Sequence, residues 1–261
     1  MSAPRTAVLE SAAAVLDCEH TQLTAERRAF ERFRTRVTRL ETAAPTTAAV
    51  ASHTAGSPIA VQTHSTPRTG SLESLVNAYR DTVCSVSHYD DVYDEPCHEH
   101  LAGELGVELA AAVEHGSQLT PQLKQSMVAA AGHAVTARAD LLEAIETEQD
   151  ALETATQTLA TLRAELESLR AQPLARLEFN ALRLTRARLV RLRSQCDDLV
   201  ASRQALIWRR RQLTIADIGV FERYCYGECE RTYPVLAALA TYGDHLEQTL
   251  SRVDGYLTTA R

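Results

Sequence analysis

Pro173 divides two stretches of opposite charge that carry matching apolar repeats, and no other feature of this 261-residue chain constrains its fold as strongly. The first arm places Met127, Ala134, Leu141, Glu148, Ala155, Leu162 and Leu169 at one heptad position, with Ala131, Arg138, Ile145, Leu152, Leu159 and Leu166 at the other. The second continues with Leu182, Leu189, Cys196, Arg203 and Arg210, interleaved with Thr185, Leu192, Leu199, Leu206 and Leu213. Stripes of this spacing are coiled-coil seams. Acids dominate the first arm, from Asp140 through Glu167, whereas ten arginines between Arg176 and Arg211 face only Glu178, Asp197 and Asp198 in the second. Proline in a helix interior loses a hydrogen bond and clashes one turn back. The expectation is therefore a long antiparallel hairpin at about 121–213, reversing tightly near residue 172 so that Leu152 lies near Leu192 and Ile145 near Leu199.

The remaining helices are read from the same periodicity. Leu9, Ala12, Leu16, Glu19, Leu23, Glu26, Phe30, Phe33, Val37 and Leu40 alternate in steps of three and four, predicting an N-terminal seam helix within 1–41. A Thr/Ala/Ser/Pro stretch at 42–70 has too few apolar residues to offset the entropy of ordering it, so it is expected to be a disordered linker. Residues 71–261 are expected to form the helical body. Ser71 offers a capping hydroxyl to the helix containing Leu72, Leu75 and Tyr79, and Thr120-Pro121 opens the long arm. Asp90, Asp91, Asp94 and Pro96 predict a kinked segment, followed by one short helix over 97–115. Thr232-Tyr233-Pro234 caps the last helix. With 5% aromatic residues and ten glycines the composition favours helices over a sheet sandwich, so the fold class is all-α: a long antiparallel coiled-coil hairpin combined with a small helical bundle.

Composition also limits function. The net charge is −7, which argues against a generic polyanion binder; nucleic acid is not expected as a partner unless through a local patch such as Ile207-Trp208-Arg209-Arg210-Arg211. Lys124 is the sole lysine, a bias consistent with a GC-rich or halophilic source. Six cysteines lack a secreted-scaffold spacing and are expected to be reduced. No apolar run approaches a membrane span, and the N-terminus has no export leader pattern; the expected location is the cytoplasm, with no membrane partner.

The segments YRDTVCSVSHYDDVYDEP, EHLAGELGVELAAAV, LTPQLKQSMVAAA and RTYPVLAALA, in that order, resemble a haloarchaeal protein family known as domain of unknown function 7260. The resemblance covers about Leu72 to Leu257. It implies a cytoplasmic, all-helical protein without an assigned activity.

Candidate chemistry is sparse. Cys84, His88, Cys97, His98 and His100 bring two metal-ligating residue types together, and Cys84 with His88 is a helical pair able to present two ligands on one face. The spacing matches no established zinc motif, and free cysteines and histidines packed at helix contacts are the commoner explanation. Cys225 and Cys229 are also four apart. The acidic Asp90, Asp91, Asp94 and Glu95 lack the glycine and terminal glutamate of an EF-hand loop. No phosphate-cradling glycine loop or nucleophile elbow is present. The expectation is a non-enzymatic coiled-coil interaction or scaffolding protein that binds a protein partner or itself, with no catalytic residue, cofactor or metal ligand assigned. A nucleic-acid-associated regulator using the arginine arm, or a metal-binding helical module, is the alternative.

Overall fold

Leucine and alanine at three- and four-residue steps give a helix one apolar edge, and the computed structural model shows where each edge is buried. It describes residues 7–43, 71–213 and 220–259, with the side chains of 211–213 left aside. The expected linker at 42–70 therefore lies almost wholly outside the described residues. Among those described there are nine α-helices and no strand: α1 (Ala7–Arg39), α2 (Leu72–Arg80), α3 (Tyr89–Val92), α4 (Cys97–Leu105), α5 (Val107–His115), α6 (Pro121–Arg170), α7 (Phe179–Leu213), α8 (Val220–Tyr226) and α9 (Pro234–Thr259). No helix among them is long and apolar enough to cross a membrane. The chain divides into two compact units, 1–20 with 144–261, and 21–143.

In the unit formed by 21–143, Phe30, Phe33 and Val37 of α1 pack with Leu72, Leu75 and Tyr79 of α2, Leu101 and Leu105 of α4, and Met127, Ala131 and Ala134 of α6. Phe33 meets the Tyr79 ring edge-on at 5.0 Å. Helix starts follow the expected caps. Ser71 Oγ accepts from the Glu73 amide, and Thr120 Oγ1 accepts from the Leu123 amide. The sole lysine serves a helix end: Lys124 Nζ donates to the Leu40 carbonyl at 2.7 Å, where unpaired carbonyls at the end of α1 favour a cation. One expectation is corrected here. Residues 97–115 form two helices rather than one, because Gly106 adopts φ 103°, a conformation that side chains disfavour and that ends α4 before α5 begins.

In the unit formed by 1–20 and 144–261, the seam of α6 buries Ile145, Leu152, Ala155, Leu159, Leu162, Leu166 and Leu169, and α7 buries Leu182, Leu189, Leu192 and Cys196. Arg188 Nη2 meets Glu165 at 3.0 Å and Arg203 Nη1 meets Glu148 at 2.9 Å, so the partner's number falls along α6 as it rises along α7. The arms are antiparallel, but the expected register is not the observed one. A reversal centred on 172 would set Glu148 opposite Cys196; it pairs instead with Arg203, two turns further along α7. The cause is the connection, which is not a tight turn. After α6 the chain makes a 3₁₀ turn at Leu174–Arg176 with Leu174 buried, and α7 begins only at Phe179. α9 lies antiparallel on α7, with Arg186 on Asp254 at 2.7 Å, Arg193 on Glu247, and the Cys196 thiol facing the Leu239 carbonyl.

Candidate functional site: two buried charge centres

The seams contain charged residues at positions that should be apolar, and each is satisfied inside the protein. Glu26 on α1 and Arg138 on α6 stand at seam positions of the 21–143 unit. Arg138 Nε donates to Glu26 Oε2 at 2.7 Å, and its Nη1 donates to Glu104 Oε2 of α4 at 2.9 Å. The other Glu26 oxygen receives the Tyr93 hydroxyl at 2.8 Å and lies 3.0 Å from His88 Nε2. The guanidinium also stacks 4.4 Å above the Phe30 ring. Burial pushes the Glu26 carboxyl upward, but Arg138 and the His88 and Tyr93 hydrogen bonds outweigh it, and the net direction is down.

The second centre, in the other unit, is deeper. Glu148 of α6 is fully buried. Arg203 grips both its oxygens, at 2.5 and 2.9 Å, while Arg210 Nη1 donates to Oε2 and Tyr226 Oη of α8 to Oε1, each at 2.6 Å. Such a two-pronged guanidinium–carboxylate contact fixes orientation as well as charge. Burial again pushes Glu148 upward, and the two arginines with the Tyr226 hydroxyl bring it below the ordinary carboxylate value. Arg210 lies 3.8 Å from the buried Glu222 and stacks 4.3 Å over Phe221. Beside this centre burial pushes the Cys225 thiol up to about 12, which keeps it protonated and a poor nucleophile.

The residues weighed as metal ligands are brought near one another but used differently. Cys84 and Cys97 form a disulfide that ties the end of the α2 turn to the start of α4, so the expectation of reduced cysteines fails for this pair. Sequence separation gave no sign of it, because the geometry depends on how the kinked 90–96 segment folds back. His88 turns to Glu26, and His98 is exposed beside Glu99. His100 is buried with Nδ1 2.8 Å from the Tyr79 hydroxyl, its ring edge-on to Tyr89 and Tyr93 at 5.1 and 4.5 Å. Its Nε2 is buried without a hydrogen-bond partner, and burial lowers its pKa, against the opposing pull of Glu104 and Glu95. Asp90, Asp91 and Asp94 are exposed, and Asp94 has φ 44°. Cys225 is buried and Cys229 half-buried, both free.

Of the arginine-rich run, Trp208 and Arg209 are exposed, Ile207 is buried and Arg210 serves Glu148. Much of the second arm's positive charge is similarly committed, on Arg186, Arg188, Arg193 and Arg203. The buried centres were not expected as sites. The available signal was a glutamate or arginine at a seam position, where only a paired charge can be accommodated.

Both units are thus built on long amphipathic helices whose seams are interrupted by an internally neutralised arginine–carboxylate centre, which defines an all-α helical protein. The family model described as "Domain of unknown function (DUF7260)" matches residues 7–250, and the chain belongs to that family. No curated protein and no solved structure matches the chain.

Proposed function

We propose that the protein is a non-enzymatic interaction or scaffolding protein that works through its helical surfaces in the manner of a coiled coil. The observation that carries this reading is the outward face of α7. The inner face of that helix is spent on α6 and α9, yet Leu184 is 69% exposed, Trp208 57%, Val190 45% and Phe179 43%. Large apolar side chains left exposed along the solvent side of a helix, here on both flanks of that side, mark a surface that binds another protein. The perturbed ionisable groups support the same reading, because Glu26, Arg138, Glu148 and Arg203 are neutralised by one another rather than aimed at an open cleft.

A photoreactive residue placed at Leu184 or Trp208, in cells at their own salt, tests the proposal. A discrete protein adduct at those positions, and none at exposed Thr161 of α6, supports it. No adduct at either position refutes it. Arg183, Arg191 and Arg209 also point outward on α7 and favour the nucleic-acid reading as the rival. Duplex DNA binding that survives at the cell's internal salt would establish that rival.

The proposal places the protein in the cytoplasm. The Cys84–Cys97 disulfide weighs the other way, since such bonds persist mainly in oxidising compartments. Trapping free thiols in intact cells decides between them: reduced cysteines support the cytoplasm, and an intact bond excludes a reducing compartment.

A further inference from the structure

The exposed face of α7 is self-complementary when read against its own reverse. Asn180, Leu184, Ala187, Arg191, Ser194, Asp198, Ala201, Ala205 and Trp208 follow one another in steps of four and three, on the side opposite the buried Leu182, Thr185, Leu189, Leu192, Cys196 and Arg203. Reversing this stripe about Ser194 lays Arg191 on Asp198, Ala187 on Ala201, Leu184 on Ala205 and Asn180 on Trp208. All of these are exposed. Arg191 and Asp198 have no ion-pair partner among the described residues, so the charges that would meet are uncommitted.

We propose that the chain forms a homodimer in which this face of α7 packs antiparallel on the same face of a second copy, about a two-fold axis passing at Ser194. The inference rests on the interaction reading above and names its partner. A two-fold interface repeats every contact, so two Arg191–Asp198 pairs flank the axis, one on each side. Small residues next to the axis, Ala187, Ser194 and Ala201, let the helix backbones approach. Large ones lie toward the ends, where Phe179 of the second copy arrives beside Trp208. There a cavity of about 630 Å³ opens between α7 and the start of α9, lined by Gln204, Ala205, Ile207, Trp208, Tyr233 and Leu236. Phe179 is the apolar side chain placed to enter it, and Arg183 of the second copy lies within reach of the Trp208 ring.

Charge choice sets the direction of packing. In a parallel pair Arg191 would meet Arg191 and Asp198 would meet Asp198, four like charges at the centre. Only the antiparallel arrangement pairs them, so the charges specify orientation while the apolar ends supply affinity.

Sedimentation equilibrium on the full chain at micromolar concentration should give twice the monomer mass. Arg191→Asp or Asp198→Arg each turns two attractions into two repulsions, and either should weaken the dimer by about tenfold or more. The double variant, Arg191→Asp with Asp198→Arg, exchanges the partners and should restore the parent affinity. In a Cys18→Ser background, Ser194→Cys should form an intermolecular disulfide under mild oxidation. A monomer at all concentrations overturns the proposal, as does a dimer that ignores both single reversals or is not rescued by the double. A heterologous protein adduct at Leu184, with the purified chain monomeric, would overturn the homodimer and leave the interaction reading standing. Loss of both self-association and photo-adducts would remove both.

Discussion

Replacing Glu148 with leucine should be among the most damaging single changes this chain can take, and the structure says by how much. Four hydrogen bonds converge on that carboxylate, from Arg203 twice, Arg210 and Tyr226. Arg210 is partly exposed and can turn to water or to Glu222, but Arg203 is only 5% exposed and would keep its charge without a carboxylate in hydrogen-bond contact, Glu222 acting on it only from a distance. Removing one member of a buried pair in this way costs about 3–5 kcal/mol. For a chain of this size that is a fall in melting temperature of roughly 6–20 °C. Trp208 is the only tryptophan and belongs to the same compact unit, so its fluorescence during thermal or urea unfolding reads the affected part directly. The control is Glu153→Leu, an exposed carboxylate that only accepts from Gln157, which should change stability by less than about 0.5 kcal/mol. The informative variant is the double, Glu148→Leu with Arg203→Met, which removes both charges and should recover most of the loss. The pH dependence has a fixed sign. Glu148 titrates lower in the folded chain than its ordinary 4.5, so its contribution is complete above that pH and is lost as acid takes the pH down through the folded value. Glu148→Gln should flatten that acid limb. A Glu148→Leu protein within about 1 kcal/mol of the parent would refute the argument, because it would mean that Arg203 finds water or another anion where the structure shows only Glu148.

Three further outcomes are expected. Because burial lowers the His100 pKa, the unfolded chain takes up a proton below about 6.5 that the folded one resists; denaturant unfolding followed by circular dichroism should show stability falling from pH 7.5 to 5.5, and Tyr79→Phe with His100→Phe should remove that slope. Reducing Cys84–Cys97 opens a loop of 13-residue separation and should cost about 3 kcal/mol, read as a lower urea midpoint with reductant than without, while a Cys84→Ser/Cys97→Ser double shows no reductant effect. Gly106→Ala should cost about 1–3 kcal/mol although an added Cβ would meet nothing within 4 Å, since the strain lies in φ 103° itself; a neutral result in the same melt would mean that the α4–α5 junction relaxes.

How much of this was legible in the sequence depends on whether the cause was local. Periodicity identified the all-α class, the seams of α1, α6 and α7 and the helix starts at Leu72, Pro121 and Pro234, because capping and amphipathicity are set within a few residues. It placed Leu141 in the α6 seam where Leu142 is the buried residue, since a 3.6-residue helix drifts from a strict heptad. The register of α7 on α6 was misplaced by two turns because it depends on the 3₁₀ connection after Pro173, whose length no repeat encodes. The two charge centres join residues far apart in the chain, and the disulfide, though its cysteines are 13 apart, depends on how the kinked 90–96 segment folds back. Glu26, Arg138, Glu148 and Arg203 were nonetheless visible as charges at seam positions, and a rule that buried charges must be paired would have matched each with an opposite charge on a facing helix.

The partners of α1 carry a consequence for how the chain is made. Asp17, His20 and Glu26 meet Gln149, Glu146 and Arg138, each more than a hundred residues later in the chain. A ribosome adding roughly 5–20 residues per second needs on the order of 5–25 s to bring those partners into being. Throughout that interval Leu16, Leu23, Phe30, Phe33 and Val37, all buried in the finished protein, stand on the nascent chain without α6, and until α2 and α4 are made Phe30, Phe33 and Val37 lack their other core neighbours as well. The arms around Pro173, by contrast, meet as soon as α7 emerges. Synthesis speed and holding chaperones should therefore govern the yield of this protein through its first helix, and slowing translation downstream of α1 should lengthen the period in which that helix can be captured by the wrong surface.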